Sequence, residues 1–217
     1  EIPGPRILVA LDADEFLSSE FFEEFEQWRR EGLPPDTVVG FPRLNLLPGM
    51  REAVREPAPV WALYADAGAP FDARPIHGPR IPLPDERLPR RLAQRTVMLH
   101  FADINPARNQ SKIRWYQCFE RLRYPRKRAS AIFRLYQGRN REMETIAREP
   151  APDAWFRAYD AQGVDLRAVT TGAGPWWWDR KVLEWFNEYG EARFAKLDIW
   201  DVDWNAIAQA QGIKPRN

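Results

Sequence analysis

The sequence predicts an α/β protein, and three observations carry that expectation. An unbroken apolar run, Ile7-Leu-Val-Ala-Leu11, and the segment Arg95-Thr-Val-Met-Leu-His-Phe101 read as strands. Two stretches, near Glu20–Arg30 and Asn105–Arg123, have apolar residues at helical spacing. Strands and helices that succeed one another in this way belong to layered α/β architectures. Beyond Pro125 the chain reads as mainly helical, which places a soft boundary between 1–125 and 126–217.

Ile7–Leu11 has the composition of a strand buried on both faces, as in parallel sheets. It runs into Asp12-Ala-Asp14-Glu15. A helix is expected from about Glu20 to Arg30. Ser19 reads as its cap, acids fill its first turns, Arg29 and Arg30 its last, and Gly32 closes it. Phe21, Phe25 and Trp28 make its apolar stripe. The acidic cluster is therefore expected between a buried strand end and a helix, where α/β folds place ligands. Thr37–Leu47 reads as a strand with an edge or bulge at Pro42.

From Pro48 to Pro89 proline is dense and no period holds, so a long irregular excursion with short strands such as Val60–Tyr64 is expected. After the strand at 95–101, Asn105 and Pro106 read as the cap and first residue of a helix that buries Ile113, Tyr116 and Phe119 and ends before Pro125. The tail reads as a basic helical stretch over Ala129–Arg148, weakened at Gly138 and stopped by Pro150 and Pro152. A short helix near Asp153–Ala161, a loop at Thr170–Pro175 and a helix near Asp179–Tyr189 come next. The last helix is capped by Asp203 and stopped at Gly212.

Composition bounds the function. With 217 residues, 44% hydrophobic and 29% charged, the chain is neither disordered nor fibrous. Basic and acidic residues number 32 and 31, so there is no positive excess for nucleic acid. No apolar run is long enough to span a membrane. A single cysteine, Cys118, excludes an internal disulfide and a cysteine-based zinc site. No signal peptide is visible, and a cytoplasmic location, at most peripheral to a membrane, is expected. Lysine is rare, so nearly all positive charge is arginine, the better fork for carboxylates and phosphates.

Asp12-x-Asp14 is the strongest chemical signal. Two carboxylates two positions apart at a strand end can converge on a hard divalent cation, Mg²⁺ or Mn²⁺, which wants oxygen ligands and keeps positions free for phosphate. The same residues could instead satisfy turn amides or cap the next helix. His100, at the end of a predicted strand, offers an imidazole that suits Mn²⁺, or else a hydrogen-bonded core histidine. His77 sits in a turn-like Pro-Ile-His-Gly-Pro setting and has weaker claims. Arg108 and Lys112, four apart on one helix face, could reach phosphate oxygens, or belong to a solvated basic face. Trp176-Trp177-Trp178 reads as a packing cluster that fixes the tail to the sheet, with sugar stacking as the other use. Thr170, Thr171 and the neighbouring glycines lack the spacing and lysine of a P-loop.

The segment Leu11-Asp-Ala-Asp-Glu-Phe-Leu17 resembles the strand end that carries the acidic motif of family 2 glycosyltransferases, enzymes of the GT-A fold. The resemblance continues through Gly40-Phe-Pro-Arg-Leu-Asn45, through Leu99-His100, and into Asn109-Gln-Ser-Lys112 with Tyr116, and covers about Ile7–Arg123. Leu197-Asp-Ile-Trp-Asp-Val-Asp-Trp204 is similar to the tail of some bacterial members. It implies a partial GT-A-like sheet of the nucleotide-diphospho-sugar transferase type with a mainly helical C-terminal tail. It also implies a reaction: transfer of a sugar from a nucleotide-diphosphate donor to a glycan, lipid or protein acceptor, assisted by Mn²⁺ or Mg²⁺.

Residue by residue, the resemblance puts Asp12 near the donor ribose and the metal, and Asp14 on the metal that holds the diphosphate. Glu15 becomes a supporting acid, His100 a further metal ligand, and Lys112 a phosphate contact. Family members take the acceptor proton with a carboxylate. The nearest likeness is Asp85 in Pro84-Asp-Glu-Arg-Leu88, where the surrounding pattern departs from the family's, and Asp66, Asp72 and Asp103 are its rivals. A GT-A domain places two or three strand–helix units of about 30 residues before its motif. Only six residues precede Ile7 here, so the resemblance implies a chain that begins in mid-domain and transfers sugar weakly or not at all on its own.

Two other classes remain open. A haloacid-dehalogenase-like phosphatase also opens with a strand ending in Asp-x-Asp, with Asp12 as nucleophile and both acids on Mg²⁺. That pattern wants Thr or Val where Phe16 stands. The other class is a non-catalytic carbohydrate- or partner-binding domain that uses the aromatic residues as its platform.

Overall fold

The computed structural model describes residues 6–66, 79–82, 89–138, 145–169 and 172–213. Among them the protein is mixed α/β, with two mixed sheets and six α-helices. The strands are β1 (Arg6–Val9), β2 (Glu15–Leu17), β3 (Val38–Phe41), β4 (Arg43–Leu46), β5 (Glu52–Arg55), β6 (Val60–Asp66), β7 (Arg90–Leu92), β8 (Met98–His100) and β9 (Arg148–Pro150). The helices are α1 (Glu20–Glu31), α2 (Pro106–Arg123), α3 (Ala129–Phe133), α4 (Arg157–Asp160), α5 (Trp177–Tyr189) and α6 (Trp204–Ala210). The chain forms two compact units, 1–104 with 147–169 and 105–146 with 170–217. Helix α2, which the sequence grouped with the first part, packs in the second unit.

In the first unit, one sheet has the order β1-β6-β3-β7 and the other β2-β8-β4-β5-β9. Only β3–β7 and β4–β8 are parallel. The expected single strand at 37–47 is two strands, β3 in one sheet and β4 in the other, with Pro42 at the crossing. Proline has no N–H to give a ladder, so a change of sheet at this point removes no donor. Within the proline-rich stretch, the short strand expected at Val60–Tyr64 is β6, two residues longer and paired on both sides. Glycine is required at 40, where a Cβ would come within 3.0–3.2 Å of Trp61 and Leu92 ring and methyl carbons.

The second sheet alternates cleanly. Phe16, Leu44, Leu46, Ala53 and Leu99 enter one core with Phe101, Phe156 and Leu166. Leu17 and Met98 enter another with Trp28, Val39, Phe41 and Leu63, against which Phe21 and Phe25 of α1 pack as their spacing predicts. Gly32 ends α1 at φ 76°, its N–H donating to the Trp28 carbonyl. Ser19 does not cap this helix. Its hydroxyl donates to the Trp155 carbonyl at 2.9 Å and accepts from Ala158 N–H at 2.8 Å, tying the start of α1 to the first turn of α4 and the residues just before it.

The acidic cluster differs from expectation in its frame. β1 is not a buried strand. Among the described residues it is an edge strand, paired only with antiparallel β6, and its Leu8 and Val9 are 38% and 41% exposed. An apolar run signals a strand but not its place in the sheet, and at an edge half of its neighbours are missing. The acids lead into a second strand, β2, rather than directly into the helix, so the turn at 12–15 links the two sheets.

The second unit is helical and has its own core around Ile113, Cys118, Ile132, Val182, Phe186, Phe194, Ile199 and Trp204. Asn105 caps α2 as expected, its side chain accepting from Arg108 N–H at 3.0 Å, and Pro106 opens the helix. Tyr116 and Phe119 are partly rather than fully buried. Asp203 caps α6 through the amides of Asn205 and Ala206. Among the described residues of the helical stretch expected over 129–148, Ala129–Phe133 is α3 and Arg134–Gly138 a wider π-type turn, while Arg148 belongs to β9. The tryptophan run packs on α2 within the second unit. Trp178 is buried, its Nε1–H donating to Ser111 at 2.6 Å, while Trp177 is 62% exposed with its ring edge-on to Trp115.

Candidate functional site: the acidic turn

Asp12 to Glu15 make a tight turn, closed by the Glu15 N–H donating to the Asp12 carbonyl at 3.0 Å. The Asp14 carbonyl accepts from Phe101 N–H at 2.9 Å, which fastens the turn to the end of β8. Glu15 and Asn45 both pair with His100 in register, so β2, β8 and β4 set the three side chains in one row across the sheet. The strand ends thus bring together residues 85 and 55 positions apart (100 − 15 and 100 − 45).

Within this row the sequence-predicted residues do different things. His100 Nε2 lies 3.8 Å from Asp14 Oδ1. His100 Nδ1 lies 2.6 Å from Asn45 Oδ1, while the Asn45 amide donates to Glu56 Oε1 at 3.1 Å. Glu56 in turn accepts from Arg43 at 2.6 Å. A carboxylate accepts only, so it directs the NH₂ of Asn45 to itself and the amide oxygen to His100. That oxygen also only accepts, which puts a proton on Nδ1 and turns Nε2 toward the Asp14 carboxylate. A divalent ion placed there would take Nε2 in its unprotonated form beside the Asp14 carboxylate.

Glu15 is no open ligand. Its side chain is fully buried, and it accepts from both terminal nitrogens of Arg80, from Arg43 at 3.4 Å and from Asp12 N–H at 3.1 Å. Burial pushes its carboxyl up. The Arg80 hydrogen bonds, the Asp12 amide and the charges of Arg80 and His100 outweigh that and hold it below its ordinary value. Asp12 is 57% exposed at its side chain and is held by Arg80 Nη2 at 2.6 Å. Burial lowers the Arg80 guanidinium's pKa, but the acids around it, Glu15 first, more than offset this, so it stays charged.

Among the described residues no group of three or more His, Cys, Asp or Glu side chains converges as a closed metal site. Asp14 and His100 are a two-donor set, one oxygen and one nitrogen, at a separation that one ion with bonds of about 2.1 Å spans. In donor type they fit Mn²⁺ better than Mg²⁺. Asp12, paired with Arg80, does not join them in this arrangement. Asp85, His77 and Asp72 lie outside the described residues. Of the other candidate bases, Asp66 pairs with Arg6 at the end of β6, and Asp103 lies in the short turn after β8. Lys112 is on α2 in the second unit, with its Nζ 5.9 Å from the Tyr116 ring centroid.

Sequence reasoning missed Arg43, Glu56 and Arg80. Arg43 and Asn45 had a signal, since the polar residues in Arg-Leu-Asn-Leu alternate with leucines and so share the face opposite the core. Arg80, in the proline-rich stretch, had none.

No helix among the described residues is long and apolar enough to cross a membrane. No protein-family model matches the sequence, no curated protein is significantly similar to it, and no solved structure matches it significantly.

Proposed function

We propose that the acidic turn is the diphosphate-handling site of a metal-assisted glycosyltransferase of GT-A type, acting on a nucleotide-sugar donor and a glycan, lipid or protein acceptor. One observation carries this reading. Asp14 Oδ1 and His100 Nε2 face each other at 3.8 Å at neighbouring strand ends, in the segments through which the chain resembles family 2 enzymes.

Asp14 and His100 would hold Mn²⁺ or Mg²⁺, which supplies positive charge to neutralise a diphosphate leaving group. Asn45 fixes the tautomer and direction of the His100 ring, and Glu56 and Arg43 fix Asn45. Outer-shell partners of this kind tune both ligand basicity and orientation. Arg80 adds a positive charge at the turn, held in place by buried Glu15. Each group is set before any ligand arrives, so little reorganisation opposes charge development on the phosphates.

The test is equilibrium binding of UDP and GDP with Mn²⁺, and then release of nucleoside diphosphate from UDP- and GDP-sugars. The reading expects Mn²⁺-dependent nucleotide binding that falls at least about tenfold in Asp14→Asn, the loss of one charge-assisted ligand. Nucleotide binding indifferent to Mn²⁺ and to Asp14 would overturn it. Turnover of p-nitrophenyl phosphate abolished by Asp12→Asn would replace it with the phosphatase reading.

A further inference from the structure

We infer that Arg80 is the built-in counter-cation of the acidic turn, and that it keeps a divalent ion off Asp12, so that among the described residues the ion's protein ligands are Asp14 and His100. The inference rests on the functional reading above and assigns a residue outside the segments that carry the family resemblance. The geometry is specific. Both terminal nitrogens of Arg80 are spent on acids, Nη1 on Glu15 Oε2, and Nη2 on Glu15 Oε1 at 3.0 Å and Asp12 Oδ2 at 2.6 Å. The two contacts are unequal. The Glu15 half is buried and cannot be given up without leaving a charge stranded in the interior. The Asp12 half is more than half exposed on the carboxylate side and is weak and exchangeable.

Arg80 therefore stays anchored on Glu15 whatever happens at Asp12. An ion that sought Asp12 would have to displace one arm of the fork and then sit beside a fixed like charge. Toward Asp14, Arg80 acts through its charge, with its fork already committed to Glu15 and Asp12. Two protein donors hold a divalent ion weakly, and the remaining positions suit phosphate oxygens and water. The ion is then retained chiefly when the diphosphate accompanies it. The anchored guanidinium, partly solvent-exposed, offers that same diphosphate a second positive contact.

The test is the affinity of Mn²⁺ alone, read from the loss of the free-ion electron paramagnetic resonance signal. It compares the wild-type chain, Arg80→Lys, Arg80→Gln and the double variant Glu15→Gln/Arg80→Gln. The double variant removes buried Glu15 and its paired cation together, so it separates an effect on the ion from loss of folding, and circular dichroism confirms that each protein is folded. Freeing Asp12 is expected to tighten Mn²⁺ at least about tenfold in the double variant, where the lost positive and negative charges offset each other, and at least as much in Arg80→Gln, which also removes a unit positive charge from the turn. Arg80→Lys should stay near wild type. Adding Asp12→Asn to the double variant should abolish the gain. Equal affinity in all folded variants, with clear binding in the wild type, overturns the role of Arg80 and leaves the metal site standing. Absence of binding in every variant at millimolar Mn²⁺ overturns both.

Discussion

Glu24 offers a perturbation whose size is set by a small number of hydrogen bonds. It lies on the buried side of α1 and is itself buried. Its Oε1 accepts from Gln94 N–H at 2.7 Å, and its Oε2 accepts from Arg95 N–H at 3.2 Å, Thr96 N–H at 2.8 Å and the Thr96 hydroxyl at 2.6 Å. One carboxylate thus gathers three successive amides of the segment that leads into β8, the strand that ends at His100. In Glu24→Ala, the Gln94 and Arg95 amides belong to exposed residues and recover water, but Thr96 is fully buried and keeps two donors without partners. At about 1–3 kcal/mol for each orphaned buried donor, the expected loss is about 2–6 kcal/mol.

Urea unfolding monitored by circular dichroism measures this loss, with Glu26→Ala on the exposed face of the same helix as control, expected within about 0.5 kcal/mol. The sign with pH comes from the same bonds. Burial pushes the Glu24 carboxyl up, the four hydrogen bonds outweigh it, and the group is held below its ordinary value. Its contribution is therefore complete above the ordinary glutamate range, near 4.5, and is lost as pH falls through the lower folded value. Glu24→Gln should flatten this acid limb. A loss under about 1 kcal/mol in Glu24→Ala would refute the reasoning, because the donors would then have found other partners.

Three further outcomes are expected. Gly40→Ala should cost about 1–3 kcal/mol by urea unfolding, since its Cβ meets the Trp61 ring at 3.0 Å inside a packed sheet face. Asp179→Ala should cost about 2–4 kcal/mol, because the Trp176 N–H loses its acceptor at 2.8 Å and the Ser111 hydroxyl loses its own. A Trp fluorescence shift from Trp178, whose Nε1–H donates to Ser111, would report that change locally. Asn45→Leu should weaken Mn²⁺ binding about 10–100-fold while leaving both proposed ligands in place, measured by the same free-ion signal.

The elements with end signals were the most legible. Asn105-Pro106, Gly32 and Asp203 each do at their helix ends what their chemistry predicts, because a cap is a local device that needs no tertiary partner. Ser19 had the same chemistry and a different fate, since the Trp155 carbonyl and Ala158 amide, 136 and 139 residues away, compete for its hydroxyl. The Ile7–Leu11 run announced a strand but not an edge, because exposure depends on what packs beside it. Likewise the pairing of Asp14 with His100 could be expected from resemblance, but the row Glu15, His100, Asn45 depends on register between three strands. Arg80 was not legible, because nothing local marks an arginine that will be drawn to acids 65 and 68 residues earlier.

The proposed metal site stands or falls on whether His100 Nε2, turned by Asn45, shares a cation with Asp14. Electron spin-echo modulation of bound Mn²⁺ detects a directly ligated imidazole nitrogen. A nitrogen coupling is expected in the wild-type chain, lost in His100→Gln and kept in Asp12→Asn. Bound Mn²⁺ with no nitrogen coupling, or a coupling unchanged in His100→Gln, would contradict the shared cation.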